Sequence, residues 1–175
     1  MPNQGVIAGT AIAVPEHAIT REDARRWLRR VFPLDEARYR TMLAVIDNSR
    51  IERRYFVHPV DYIVEPRPLV QVTEEYKEHS VRLGRQVTAN CLARSGISPR
   101  DIDLVITVSC TGFMIPSLDA YLINDFGFRS DVRRLPITEL GCAAGASALS
   151  YAANFIGAFP EANVLVVTVE LASLS

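Results

Sequence analysis

The sequence predicts an α/β fold built on a mostly parallel sheet, and three observations carry that prediction. Two stretches, IDLVITVSC from Ile102 and NVLVVTVE from Asn163, are unbroken apolar runs rich in β-branched residues, the pattern of strands covered on both faces. Between them, segments with helical spacing alternate with a short strand, RRLPIT, and such alternation is how parallel strands are connected. The chain has 175 residues, 49% of them hydrophobic, which suffices for one domain with a sizeable core.

Residues 5–14, GVIAGTAIAV, read as a buried strand closed by Pro15. Thr20 is placed to cap a helix over 21–31, with Asp23 as the acid of a capping box and Ala24, Trp27, Leu28 and Val31 at helical spacing. Pro33 stops it. A second helix is expected over DEARYRTMLAVIDNS, followed by a short strand or extended segment in IERRYFV. Pro59, Pro66 and Pro68 mark a loop. A longer helix then runs from about Thr73 to a stop at Gly96, with Cys91 in a core role among alanine and leucine. After the strand at Ile102 come a turn at Thr111 and Gly112, Pro116, and a helix in SLDAYLINDFGF capped by Ser117. RRLPIT, a helix from near Cys142 (CAAGASALSYAANFIGAF) and NVLVVTVE complete the series. No linker or low-complexity segment interrupts it, so residues 1–175 read as one domain.

The formal net charge of -1 gives no electrostatic case for nucleic acid or an anionic membrane. No apolar run approaches the roughly eighteen residues of a membrane span. MPNQGVIAGTAIAVP lacks a basic segment before its apolar stretch, so no secretory signal is expected. Cys91, Cys110 and Cys142 have neither metal-ligand nor disulfide spacing and suit a reducing, cytoplasmic compartment. His17, His58 and His79 are scattered without a zinc motif.

The stretch ITELGCAAGASAL, from Ile137, surrounds a thiol with Ala143, Ala144, Gly145, Ala146, Ser147 and Ala148. Glycine inside a helix costs about 1 kcal/mol relative to alanine, which is tolerable where backbones approach closely. That account makes Cys142 a buried core residue. The other reading makes it a nucleophile at a strand-to-helix turn, where free N–H groups and the helix dipole favour the thiolate. A nucleophile also needs an imidazolium partner and oxyanion donors, and the three histidines lie outside the strand-end positions. Spacing alone leaves both readings open, with the packed core cysteine the simpler.

VSCTGFMIPSLDAYLINDFGFRSDVRRLPITELGCAAGASALSYAANFI and EANVLVVTVELASLS resemble the first half of a type III polyketide synthase. This is the chalcone-synthase-like group of the thiolase superfamily, in its bacterial form. The elements TG…PSLD, GCAAG and VTVE recur there in this order, and a weaker likeness extends through IDNSRIERRYFV to the first strand. The resemblance implies a thiolase-like layered α/β/α fold, the N-terminal half of an internally duplicated architecture with five strands per half. A C-terminal half, absent from this chain, would bring a catalytic histidine, an asparagine and cavity phenylalanines.

The activity implied is condensation of an acyl-CoA starter with malonyl-CoA through decarboxylative Claisen chemistry on an acyl-cysteine, giving a pyrone or a resorcinol- or phenol-type polyketide. No tightly bound cofactor and no metal are implied, and the complete enzyme would be a homodimer. By the same resemblance Cys142 is the nucleophile. Cys110, Ile115, Glu170, Ala172 and Ser175 are cavity residues, with Ile115 reaching across the dimer and Glu170 helping to order the cavity. Ala172, where plant members have threonine, implies room for a bulkier or longer starter such as a fatty acyl group. Arg50, Arg53 and Arg54 are candidates for the coenzyme A phosphates, although Asn48 departs from the basic residue often found there. Arg25, Arg26, Arg29 and Arg30 read as surface charge.

Two rivals remain. A coenzyme A-primed ketoacyl-carrier-protein synthase or an HMG-CoA synthase shares the fold and the cysteine, but GCAAG differs from their usual strings. A noncatalytic half that requires a partner subunit would also suit an apolar cysteine-bearing helix.

Overall fold

The computed structural model describes residues 5–174. They form two compact units, one being Val14–Arg67 and the other the remainder of the described chain. In the Val14–Arg67 unit, β1 (His17–Thr20) pairs antiparallel with β2 (Arg53–Phe56), with His17 opposite Phe56 and Thr20 opposite Arg53. Helices α1 (Arg21–Val31), α2 (Glu36–Asn48) and α3 (Val60–Ile63) complete it. The capping box forms as expected: the Asp23 amide donates to Thr20 Oγ1 at 3.1 Å, and the Thr20 amide donates to Asp23 Oδ2 at 3.1 Å. The Thr20 hydroxyl, which donates to Asp23 Oδ2 at 2.6 Å, and the Thr20 amide lower the Asp23 carboxyl below its ordinary range, with help from Arg26 and against a smaller effect of burial. Asp35 caps α2. The arginines of α1 are surface residues, Arg25 pairing with Asp47 and Arg30 with Asp61 at 3.0 Å. Pairs as exposed as these add little stability.

The second unit holds α4 (Leu69–Ser95), β3 (Ile102–Ser109), α5 (Leu118–Phe126), β4 (Arg133–Thr138), α6 (Ala144–Ala158) and β5 (Asn163–Thr168). Its three strands are parallel in the order β4-β3-β5. The central strand β3 is buried along almost its whole length, which is why its sequence shows no alternation. Its two faces nevertheless divide the work. Leu104, Ile106 and Val108 join Ile137 and the α6 alanines Ala144, Ala148 and Ala152 in one core. Thr107, one step out of phase, donates to Asp119 of α5 at 3.2 Å. Helices therefore cover both faces. Burying an aliphatic side chain such as Ile106 contributes on the order of 2 kcal/mol.

Pro136 lies on β4, which pairs with β3 alone, so its missing N–H costs no ladder bond on the outer side. Helix α4 begins four residues ahead of the expected Thr73, directly after Pro68. A proline lacks the N–H that a first helical turn leaves unpaired anyway. The Pro-rich stretch expected to be a loop also holds the single-turn α3.

Two expectations are overturned. Residues 5–14 form no strand, and Val6, Ile7 and Ile12 are largely exposed. No position in the ladder receives this segment. Its carbonyls are held by α4 instead, with Cys91 Sγ donating to Gly9 O at 3.5 Å and Arg94 Nη1 to Thr10 O at 2.9 Å. Among the described residues the main sheet has three strands where the resemblance implied five, and β1 and β2 form a separate ribbon. Among the described residues no helix is long and apolar enough to cross a membrane.

Candidate active site

Register brings the C-terminal ends of the three parallel strands level. Ser109 lies opposite Thr138, and Val108 opposite Thr168. The segments that follow them therefore emerge on one edge, the place where open parallel sheets bind ligands. Cys110 follows β3, Cys142 follows β4, and Glu170 and Ala172 follow β5.

The chain leaves β4 through a strained turn. Glu139 has φ 62° and Gly141 φ 64°, a left-handed conformation that costs a residue with a Cβ roughly 1–2 kcal/mol. Cys142 sits in the 3-10 turn Gly141–Ala143 that this corner feeds, just before α6. The helix thus starts two residues later than expected. Ala143 at its N-cap makes no side-chain cap bond, and the Ala144 amide donates to Gly141 O. Cys142 is exposed. The core-cysteine reading fails, and the small residues after it do the packing, with Ala144, Ala148 and Ala152 buried.

Glu170 ties the ends of β3 and β5 together. Its carboxylate accepts the Cys110 amide at 3.0 and 3.2 Å, the Thr111 amide at 3.1 Å and Thr111 Oγ1 at 2.7 Å. Thr111 Oγ1 in turn accepts the Leu171 amide at 2.8 Å. Thr111 is a partner of Glu170 that the sequence did not reveal. The sequence marks the Thr-Gly pair as a turn and as part of the TG…PSLD element, without a partner for the threonine. Cys110 is also exposed as a residue. Its thiol is pushed above its ordinary value by the protein around it, by the charge and hydrogen bond of Glu170, and by neighbouring Cys142.

The loop after Cys110 carries Ile115, which is 77% exposed and precedes a cis bond to Pro116. Gly112 lies flat against the Tyr76 ring, where a Cβ would come within 2.3 Å. Tyr76 also hydrogen-bonds Ser109. A small cavity of about 50 Å³ lies beneath, lined in part by Tyr76, Ser80, Ser109, Gly112 and Met114. Ser117 stands at the N-cap of α5 without making a cap bond, contrary to expectation. Its hydroxyl accepts from Arg134 at 3.4 Å, and Arg134 also pairs with the fully buried Asp119. Ala172 is exposed at the start of the 3-10 turn Ala172–Leu174. Ser175 lies outside the described residues.

Arg50, Arg53 and Arg54 belong to the other unit and are exposed. Arg50 follows α2 at φ 54°, while Arg53 and Arg54 are neighbours on β2. Adjacent strand residues project to opposite faces, so the last two cannot act as one clamp on a single phosphate. Among the described residues no group of three or more His, Cys, Asp or Glu is placed to hold a metal ion.

A family model described as FAE1/type III polyketide synthase-like protein matches residues 13–175. The chain is 38% identical over 164 residues to 1,3,6,8-tetrahydroxynaphthalene synthase of Streptomyces griseus, covering 94% of this chain and 44% of that protein. It is 31% identical over 163 residues to phloroglucinol synthase of Pseudomonas fluorescens, covering 93% and 46%. The crystal structure of 1,3,6,8-tetrahydroxynaphthalene synthase from Streptomyces coelicolor superimposes with a TM-score of 0.88 at 38% identity, covering 94% and 47% of the two chains. The chain thus spans about half the length of these relatives, and the thiolase-like α/β fold expected from the sequence is borne out.

Proposed function

The chain belongs to the FAE1/type III polyketide synthase-like family, and from that premise we propose that it builds the acyl-accepting edge of a polyketide-forming active site. Cys142 attacks the carbonyl carbon of an acyl-CoA thioester. A new S–C bond forms, the bond to coenzyme A breaks, and the released thiolate takes up a proton. Malonyl-CoA then loses carbon dioxide, and the resulting carbanion attacks the acyl carbon and frees the Cys142 sulfur. Repetition and ring closure give a pyrone or a phenolic product, the latter in keeping with the relatives named tetrahydroxynaphthalene and phloroglucinol synthases.

The observation that carries this reading is the exposure of Cys142 on the strand-end edge that also presents Cys110 and Glu170. Within the same proposal, Cys110, Ile115 and Ala172 line the substrate cavity. Arg50, Arg53 and Arg54 meet coenzyme A phosphates from exposed positions. An imidazole and an asparagine from a second half complete the centre, and two copies of the enzyme associate.

The test is product formation from acyl-CoA and malonyl-CoA by the complete enzyme that contains this chain. Cys142→Ala is expected to reduce it by at least about a thousandfold, whereas Cys91→Ala, on α4, leaves it largely intact. Condensation that survives Cys142→Ala refutes the assignment.

A further inference from the structure

Two exposed cysteines share the strand-end edge, Cys110 and Cys142, yet the proposed chemistry needs one acyl acceptor. They follow neighbouring parallel strands whose ends lie level, Ser109 opposite Thr138. A thioester or any soft electrophile reaching this edge divides between two thiols by their access and thiolate content. A second reactive thiol would divert acyl groups onto a position with the wrong geometry for condensation.

The surroundings of Cys110 contain a device against this. Glu170 is anchored by both the Cys110 and Thr111 amides and by the Thr111 hydroxyl. Thr111 is itself fixed by the amide of Leu171, the residue after Glu170. The carboxylate therefore cannot swing away from Cys110 without breaking its bonds to the Cys110 and Thr111 amides and the Thr111 hydroxyl. No ion pair with an arginine or lysine is found for Glu170 among the described residues, so its charge is left to act on its neighbours. A fixed negative charge beside a thiol opposes formation of the thiolate.

We propose that Glu170 is a selectivity residue: held by the loop after β3, it silences Cys110 so that the acyl group enters at Cys142 alone. This rests on the acyl-transfer reading of Cys142. Packing around the Cys110 thiol and the Glu170 charge push it in the direction the proposal needs. The hydrogen bonds have a positioning role and the charge a chemical one. Glu170→Gln separates them, because an amide oxygen still accepts the backbone donors while the charge is gone.

The experiment is alkylation of the full chain by iodoacetamide, with peptide mass spectrometry resolving Cys91, Cys110 and Cys142. It is run from about pH 6 to about pH 10, across the ordinary thiol range. In the wild-type chain, modification of Cys110 is expected to lag behind that of Cys142 and to rise only toward the alkaline end. Glu170→Gln in a Cys142→Ser background is expected to speed Cys110 alkylation near neutral pH by at least about fivefold, relative to Cys142→Ser alone. It also moves the Cys110 profile toward lower pH, a shift that a purely structural role of Glu170 does not produce. An unmoved Cys110 profile overturns the proposal. So does wild-type Cys110 that reacts as fast as Cys142 at neutral pH, a result that needs no variant to fold. Either failure leaves acyl transfer at Cys142 standing, since the readout involves no thioester.

Discussion

The two ends of the parallel sheet are each pinned by a carboxylate, and the difference between them separates structure from chemistry. At the start of the strands, Asp103 of β3 accepts Arg129 Nη2 at 2.7 Å and the Asn163 amide of β5 at 2.9 Å. Arg129 reaches on to the Arg100 carbonyl and to Asp131, each at 2.9 Å. At the strand ends, Glu170 of the β5 exit accepts amides and a hydroxyl from the β3 exit. Both acids bridge the same two strands. One charge is matched by a guanidinium and serves the fold, while the other is held against the backbone of Cys110 and is free to influence that thiol.

The largest expected effect comes from a third carboxylate, which calibrates the other two. Asp119 is fully buried and its cationic partner Arg134 is half-exposed. Arg134→Met leaves the charge unpaired inside the protein and is expected to cost about 3 kcal/mol, measured by urea denaturation. A cost near zero would show that Asp119 finds another donor.

A smaller loss is expected at the quiet end of the sheet. Burial alone would raise the Asp103 carboxyl, but the Arg129 hydrogen bond, the Asn163 amide and the Arg129 charge outweigh it and leave it below its ordinary range. A depressed carboxyl stabilises the fold above its unfolded value, and that contribution is lost as pH falls through the folded value. Asp103→Asn is therefore expected to cost about 1–2 kcal/mol near neutrality, a figure kept low because the pair is about one-third exposed. The variant should also flatten the acid limb of the stability profile. Undiminished acid sensitivity would mean that Asp103 is not a source of it.

The smallest change in stability is expected from Glu170→Gln, within about 0.5 kcal/mol, although it changes thiol reactivity. Asp103→Asn should do the reverse. If both substitutions altered stability and reactivity alike, the contrast between the two ends would collapse.

Much of this was legible in the sequence for physical reasons. Strands buried on both faces write themselves as unbroken apolar runs, so β3 and β5 were found, and RRLPIT matched β4 residue for residue. The Thr20 box and the Gly96 stop are local and were read correctly. Residues 5–14 carry the same apolar signal as β5 and still form no strand, because pairing depends on a neighbour that composition cannot supply. β1 went unrecognised for the converse reason, since four residues become a strand only through β2. Cys142 illustrates the same limit. Tiny neighbours argued for burial, but the corner at Glu139 and Gly141 turns the thiol outward before the helix begins. The contact between Glu170 and Cys110 spans 60 positions and leaves no local trace. The resemblance brought Glu170 into view, and only the fold showed what it holds.

The most direct measurement is the site of acylation. The complete enzyme is incubated with an acyl-CoA, digested and mapped by mass spectrometry. The account predicts an acyl mass increment on the peptide bearing Cys142, none on that bearing Cys110, and loss of the adduct in Cys142→Ser. An acyl group found on Cys110 in the wild-type enzyme, or an adduct that persists in Cys142→Ser, would contradict it.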